Sequence, residues 1–267
     1  MKGKGLAKLS ISCIGHNEEK HIKQLLPKLV EFADEVVYVD CESSDNSYEL
    51  AKEFGCRVFR QPNNTNLNVN KTYGIEQTIN EWVLYIDPDE RLTDELLKEI
   101  RDTINSDPVE NGFKISRRNF FFGKWLKHGG QYPDNQLRLF RSKNAKFPQR
   151  HVHERIQITG KTGKLKHDLI HHPYCSIAQF LHKFHFYTSF DADFLSKKNT
   201  PLNFKNHLYF LFYQPLSRFV KRFFLRGGFL DGIPGFIAAF FDSAGWIVRY
   251  VKLWEIQKGQ NILEDKN

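Results

Sequence analysis

The sequence predicts an α/β protein: a mostly parallel sheet with helices on both faces, followed by a helical, amphipathic C-terminal extension. Two patterns support the first part. Short apolar runs rich in Val, Ile and Tyr alternate with segments of helical period as far as residue 105, and this repetition specifies βαβ units with right-handed crossovers. The composition of the 267-residue chain is that of a globular protein, at 40% hydrophobic and 26% charged residues.

Residues 9–14 alternate and are β-rich, so they read as the first strand, and Ile22, Leu25, Leu26, Leu29 and Val30 then mark a helix within 17–32. Val36–Val39 is a second buried strand ending at Asp40, and Asp45-Asn46-Ser47 starts a helix through Leu50 and Phe54 that Gly55 stops. A short strand over 56–59, a helix over 68–80 and a strand over 82–86 follow. Thr93 is the expected N-cap of a helix over 94–105, because Asp94 and Glu95 put acids in its first turn. Strands are expected at 112–118 and 136–140, joined by an aromatic and glycine-rich stretch of the kind that forms binding loops. Farther on, Leu216, Phe219, Val220, Phe223 and Phe224 fall at helical spacing, with Arg218, Lys221, Arg222 and Arg226 between them, which describes a basic amphipathic helix. The uncharged run 232–241 is too short to span a bilayer, and Leu216–Tyr250 fits a segment lying on a membrane surface, with an ordinary helical subdomain or dimer contact as the alternative. The expected domains are 1–110, 111–175 and 176–267.

Charge and cysteine usage narrow the setting. The net charge of +8 is concentrated between Gly112 and His172, where 14 Lys and Arg face 3 acids, so this stretch should attract anions. Four scattered cysteines without a C-x-x-C pair argue for a reducing, cytoplasmic environment and against a disulfide scaffold, and the basic N-terminus lacks the apolar core of a signal peptide. Neither G-x-G-x-x-G nor G-x-x-x-x-G-K-[ST] is present, which argues against a plain dehydrogenase and a P-loop NTPase. The basic, aromatic middle is compatible with nucleic-acid contacts, but it has no nucleic-acid-binding motif, and no such partner is expected.

The chemistry is concentrated at the carboxyl ends of the strands. Asp87-Pro88-Asp89-Glu90 follows the apolar run Trp82–Ile86 and sets two carboxylates one residue apart where ligands of open α/β sheets bind. Hard cations such as Mg²⁺ or Mn²⁺ take one or two protein carboxylates plus substrate phosphate oxygens, so a metal-bridged phosphate site is one meaning, and a solvated acidic turn is the other. Asn17-Glu18 after the first strand, Asp40 and Asp45 after the second, and Lys71 ahead of the fourth would line the same edge. Carboxylates there can accept hydrogen bonds from ribose hydroxyls or a base N–H, while Lys71 can meet a phosphate. Arg138 and Arg141 suit bidentate phosphate contacts with a donor diphosphate or a phosphorylated acceptor.

Three motifs in order, ISCIGHNEE (11–19), VVYVDCESSDNS (36–47) and NEWVLYIDPDE (80–90), resemble the GT-A glycosyltransferases of family 2 over roughly residues 8–110. The later motifs YPDNQLRLFR (132–141), HVHE (151–154), GGFLDGIPGF (227–236) and RYVKLWE (249–255) are similar to a bacterial subgroup that adds sugars to lipopolysaccharide inner core, including β-1,4-glucosyltransferases. The resemblance implies a GT-A (Rossmann-like) fold and an inverting, metal-dependent hexosyltransferase using a UDP-sugar, most simply UDP-glucose. The implied acceptor is a lipid-linked glycan, met at the inner face of the cytoplasmic membrane. It implies Glu18 and Asp40 near uracil and ribose, Asp89 as the principal ligand of Mn²⁺ or Mg²⁺, and Asp87 touching the donor sugar or ribose or sharing the metal. Ile14-Gly15-His16 and Thr72 depart from the common family pattern, and this bears on donor details. A soluble family 2 enzyme acting on a protein or peptide is the alternative.

Transfer also needs a base for the acceptor hydroxyl. Glu154 and Asp134 are nearly alone as acids in the basic half, with Glu154 favoured and an ion pair with Arg150 or Arg155 as its structural alternative. His151 and His153 share a face of a short strand, and His153 is a candidate third metal ligand. His171, His172, His182 and His185 have no zinc-like cysteine partners.

Overall fold

The computed structural model describes residues 6–64, 66–146 and 156–264. The chain divides after Arg117, Asp134 and His171 into two compact units, the first holding residues up to 117 with 135–171 and the second 118–134 with 172 onward.

The first unit alternates strand and helix: β1 (Leu9–Gly15), α1 (Glu19–Phe32), β2 (Glu35–Asp40), α2 (Ser47–Glu53), β3 (Arg57–Arg60), α3 (Leu67–Glu76), β4 (Trp82–Ile86), β5 (Glu90–Leu92) and α4 (Asp94–Asn105). The strands that follow are β6 (Gly112–Phe121), β7 (Lys124–Trp125), β8 (Asp134–Arg141), β9 (Ala145–Lys146), β10 (Gln157–Ile158), β11 (Thr162–Lys164) and β12 (Leu169–Tyr174). The main sheet has the order β3-β2-β1-β4-β8-β6-β12-β5. Strands β3, β2, β1 and β4 run parallel, as the βαβ pattern requires, and β8 returns antiparallel along β4 with Trp82 opposite Arg141. Every residue of β1, β2 and β4 is buried, which explains the apolar runs of β2 and β4; in β1 the alternating Ser10 and Ser12 are buried as well.

The core follows from the helix stripes. Ile22, Leu25, Leu26 and Leu29 of α1 and Leu96, Leu97, Ile100 and Ile104 of α4 form one cluster with Leu9, Ile11, Trp82 and Leu84 of the sheet. The Thr93 side chain accepts the Leu96 N–H at 3.2 Å, as a cap should. Helix α3 ends at Glu76 rather than at residue 80, because the following backbone is claimed by the sheet: Ile79 N–H donates to Glu35 Oε2 and Asn80 N–H to Ser10 Oγ. Two strands that sequence patterning missed, β5 and β12, pair antiparallel in the register Leu169↔Leu92, Ile170↔Arg91, His171↔Glu90.

The second unit contains the β6–β7 turn and the helices α5 (Ile177–Lys197), α6 (Phe204–Leu208), α7 (Gln214–Phe219) and α8 (Gly232–Glu264), with π-helical turns at Tyr209–Tyr213 and Val220–Leu225. His128 links its loop to the start of α8, since its N–H and Nδ1 reach the buried Asp231 carboxylate at 2.8 and 2.9 Å. The expected amphipathic stretch is helical, as α7 and the π-helical turn after it, but its faces are mixed: Phe219 and Phe223 are half-buried against Phe236. Arg218 and Arg222 point inward to share the Asp242 carboxylate, while Leu216, Phe224 and Leu225 are exposed by 68%, 55% and 77%. Among the described residues no single helix is long and apolar enough to cross a membrane, but the pair Phe204–Leu225 and Gly228–Gly259, bent by 68°, meets that length and composition together.

Replacing Thr93 by Ala removes the α4 cap and should cost about 1 kcal/mol of stability. Urea denaturation checks this, with an unchanged m-value as the sign that only the native state has changed.

Candidate active site

Two loops at the carboxyl edge of the parallel strands are laced together. The Asn17 side-chain oxygen accepts Ser44 N–H at 2.7 Å and Asp45 N–H at 3.3 Å, while Asp45 Oδ2 accepts Glu19 N–H at 3.0 Å and Ser47 Oγ accepts Glu18 N–H at 2.9 Å. Asn17 and Glu42 both hold positive φ, 56° and 53°, conformations that non-glycine residues adopt where surrounding contacts fix them. Burial pushes the Asp45 carboxyl up, but hydrogen bonds from Ser47 and Glu19 overcome this and leave it below its ordinary value. Gly15 is required where β1 meets this loop, since a Cβ there would lie 2.4 Å from the Tyr38 hydroxyl.

Asp40 closes β2 and is 1% exposed. Its Oδ2 accepts Ser43 N–H at 3.2 Å, whereas Oδ1 is buried with no hydrogen-bond partner among the described residues. A buried carboxylate oxygen left in that state is costly, and a ligand donor would relieve it.

At the end of β4 the carboxylates take different partners. Asp87 accepts from the Tyr85 hydroxyl, from Arg138 Nη2 at 2.6 Å, and lies 3.6 Å from Lys71 Nζ. Burial alone would raise its pKa, but Lys71 and Arg138 hold it well below the usual carboxylate range. Glu90, fully buried, accepts from Arg138 and lies 3.3 Å from Arg117 Nη1, and its Oε2 accepts Asp87 N–H at 2.9 Å. Arg138 is therefore buried between two carboxylates instead of standing exposed as a phosphate clamp, and Arg141 is engaged by Glu81 and Asp107.

Asp89 faces elsewhere. His171 Nε2 lies 3.5 Å from Asp89 Oδ1, placed there by the β5–β12 register that sets His171 opposite Glu90. His171 was not among the sequence candidates; its only signal was the apolar Leu169-Ile170 step ahead of it, which marks a strand but not its partner. Among the described residues no three His, Cys, Asp or Glu side chains surround one point, so this pair could supply at most part of a cation's shell. A carboxylate beside an imidazole fits a borderline cation such as Mn²⁺ better than Mg²⁺, which takes oxygen ligands and would draw on Asp89 alone. Of the remaining candidates, Asp134 Oδ2 accepts from Asn119 Nδ2 at 3.4 Å within the second unit, and His153 and Glu154 lie outside the described residues.

Removing the Arg138 charge tests this cluster. Arg138→Met leaves Glu90 and Asp87 buried with less compensation and should cost about 3–5 kcal/mol at neutral pH. Because the folded pKa of Asp87 is depressed, its contribution is full above the unfolded value of about 3.9 and is lost as pH falls through the folded value. Denaturation curves at neutral and acid pH should therefore show the wild type losing more stability on acidification than the variant.

The Glycosyl transferase family 2 profile matches residues 10–161. An uncharacterized glycosyltransferase of Rickettsia prowazekii is 28% identical over 98% of this chain and 92% of its own length. The lipopolysaccharide core biosynthesis glycosyltransferase LpsC of Rhizobium meliloti is 24% identical over 92% of each. Among solved structures, S. aureus TarS 1–349 in complex with UDP aligns over 94% of this chain and 92% of that one, with 15% identity and a TM-score of 0.48. With its motifs at the carboxyl edge of a mixed sheet and more than half its length matched, the chain belongs to glycosyl transferase family 2.

Proposed function

We propose that the protein is an inverting, metal-dependent hexosyltransferase that moves glucose from UDP-glucose to a lipopolysaccharide-core or similar cell-envelope glycan. The nucleotide part rests on the unpartnered, buried Asp40 Oδ1, which is suited to a ribose hydroxyl or a uracil N–H. Glu18 joins it, while Asn17 and Asp45 are assigned the shape of the pocket because their side chains are committed to each other's loops. Lys71 serves the diphosphate, and Arg138 positions Asp87.

Asp89 and His171 would hold Mn²⁺, or Asp89 alone Mg²⁺, and His153, outside the described residues, stays a candidate further ligand. When bound, the ion neutralises charge on the departing diphosphate. Glu154, or else Asp134, takes the proton from the acceptor hydroxyl. The acceptor class follows the similarity to LpsC, a protein named for lipopolysaccharide core biosynthesis.

A cytoplasmic position at the inner face of the membrane fits the second unit. Leu216, Phe224, Leu225, Phe229, Leu230 and Ile233 are each more than half exposed, and so many exposed apolar side chains within one short stretch fit an interaction face. Lys221 and Arg226 beside them are exposed and suit anionic headgroups.

Turnover of UDP-glucose, UDP-galactose, UDP-N-acetylglucosamine and GDP-mannose, with and without Mn²⁺, tests the catalytic proposal. UDP-glucose should be preferred, and Asp89→Ala and His171→Ala should each lose about 100-fold or more. Asp40→Ala should weaken UDP binding by about tenfold. Metal-independent turnover, or full activity of Asp89→Ala, excludes the metal assignment. Glu154→Gln should abolish transfer at unchanged UDP affinity, and the same result from Asp134→Asn instead would move the base there.

Vesicle sedimentation tests the surface. Leu216→Glu combined with Phe224→Glu should weaken binding to anionic vesicles by about tenfold or more, each lost apolar contact being worth about 1.5–3 kcal/mol when fully buried. A protein that stays in the supernatant with wild-type sequence rules the membrane surface out.

A further inference from the structure

The second unit contains a cavity of about 290 Å³ between α5, α8 and the 118–134 loop. This is close to the lower end of the range, roughly 300–1,000 Å³, that holds small ligands. Its wall is of two kinds. Phe121, Tyr174, Phe180, Phe184, Tyr187 and Phe241 supply aromatic surface. Gln131, Asp191, Arg222, Asp242 and Arg249 supply polar groups.

The polar side is charged and underfilled. Arg249 Nη1 meets Asp191 at 3.0 Å, and Arg222 Nε shares Asp242 at 2.9 Å with Arg218 at 2.8 Å. Three guanidinium groups thus share two carboxylates in these ion pairs, and two of them, Arg222 and Arg249, line the cavity. Arg249 donates otherwise to Gly245 O and Arg222 to Gly129 O, so each retains an Nη2 group without an acceptor among the described residues. The Gln131 side-chain amide likewise makes no hydrogen bond among them. Burial lowers the pKa of both Arg222 and Arg249, so an anion would return stabilisation that water no longer supplies.

Gly245 opens the cavity. It lies in the interior of α8, where glycine costs about 1 kcal/mol relative to Ala, yet a Cβ there would meet Phe184, Arg249 Nη2 and Thr188 only at 3.5, 3.7 and 4.0 Å. These are ordinary van der Waals distances, so packing does not demand glycine at this position; a Cβ fits there in contact with the Arg249 guanidinium, and a longer side chain would enter the cavity.

We infer that this cavity is a subsite for one sugar ring bearing an acidic group, a carboxylate or a phosphate, with the ring against the aromatic wall and the anion on Arg222 and Arg249. The subsite deepens the glycosyltransferase reading by giving the acceptor an acidic sugar residue, but its ligand binds without donor or metal.

Saturation-transfer NMR on the full-length protein tests it, with glucuronate, glucose 6-phosphate, glucose and inorganic phosphate as probes. Both acidic sugars should bind and displace one another, with glucose and phosphate each weaker by about tenfold, since glucose lacks the charge-assisted hydrogen bonds and phosphate lacks the ring. The tighter acidic sugar identifies the acidic group. Gly245→Leu fills the cavity and should abolish both signals while the melting temperature holds or rises; Arg249→Gln should reduce both to the level of glucose. The inference fails if neither acidic sugar binds at millimolar concentration, if glucose or phosphate binds as tightly, or if Gly245→Leu binds normally. UDP binding measured on the same samples separates the two proposals: its loss with acidic-sugar binding intact refutes the donor site and leaves the cavity assignment standing.

Discussion

The arrangement of the first unit depends on one buried guanidinium. Arg138, on β8, lies between Asp87 at the end of β4 and Glu90 at the start of β5, and Arg117 of β6 reaches Glu90 from another side. Four strands are thereby tied at one point by charges that none of them could bury alone. Two carboxylates taken out of water would each cost several kcal/mol, and their cations offset this only in good geometry, so the cluster tolerates little displacement. The cluster acts on specificity: the strands pair in the register that satisfies these charges.

That cluster also separates the roles of two acids that look alike on the page. Asp87 is held among Tyr85, Lys71 and Arg138, with its pKa driven down, and is kept ionised but engaged. With Glu90 accepting Asp87 N–H at 2.9 Å, the intervening turn presents Asp89 on the other side, next to His171. The acidic turn is therefore neither a simple solvated loop nor a symmetric pair of ligands. One acid organises the strand ends, and the other faces a histidine that comes from 82 positions farther along the chain.

Much of this was legible in the sequence because it is local. Buried parallel strands write themselves as apolar runs, and β2 and β4 do so while β1 shows as a β-rich alternation; Thr93 caps α4 as its neighbours suggest. Asp40, Asp87 and Asp89 were placed at strand ends by the same local rule. What escaped was non-local. Strand β5 has only three residues, too few for a period, and the pairing that brings His171 to Asp89 is set by a partner far along the chain. Arg138 looked like a phosphate ligand because charge alone does not say where a side chain points; the buried Glu90, part of the acidic motif, is what claimed it.

The helices of the second unit show the same limit with the opposite sign. A stripe of Leu, Phe and Val with arginines between them normally predicts apolar residues inside. Here Asp242 of α8 draws Arg218 and Arg222 inward, and Leu216 and Phe224 are left outside. Turning guanidinium groups toward one carboxylate, Arg222 more deeply than the 36%-exposed Arg218, is unfavourable against the ordinary orientation, in which arginines face water and apolar groups fill the core. Leu216 and Phe224 facing outward would gain free energy against something less polar than water, and the inward charges would gain it from a further anion. The apolar surface and the underfilled cavity are in that sense two sides of the same helix, each asking for a partner of different chemistry.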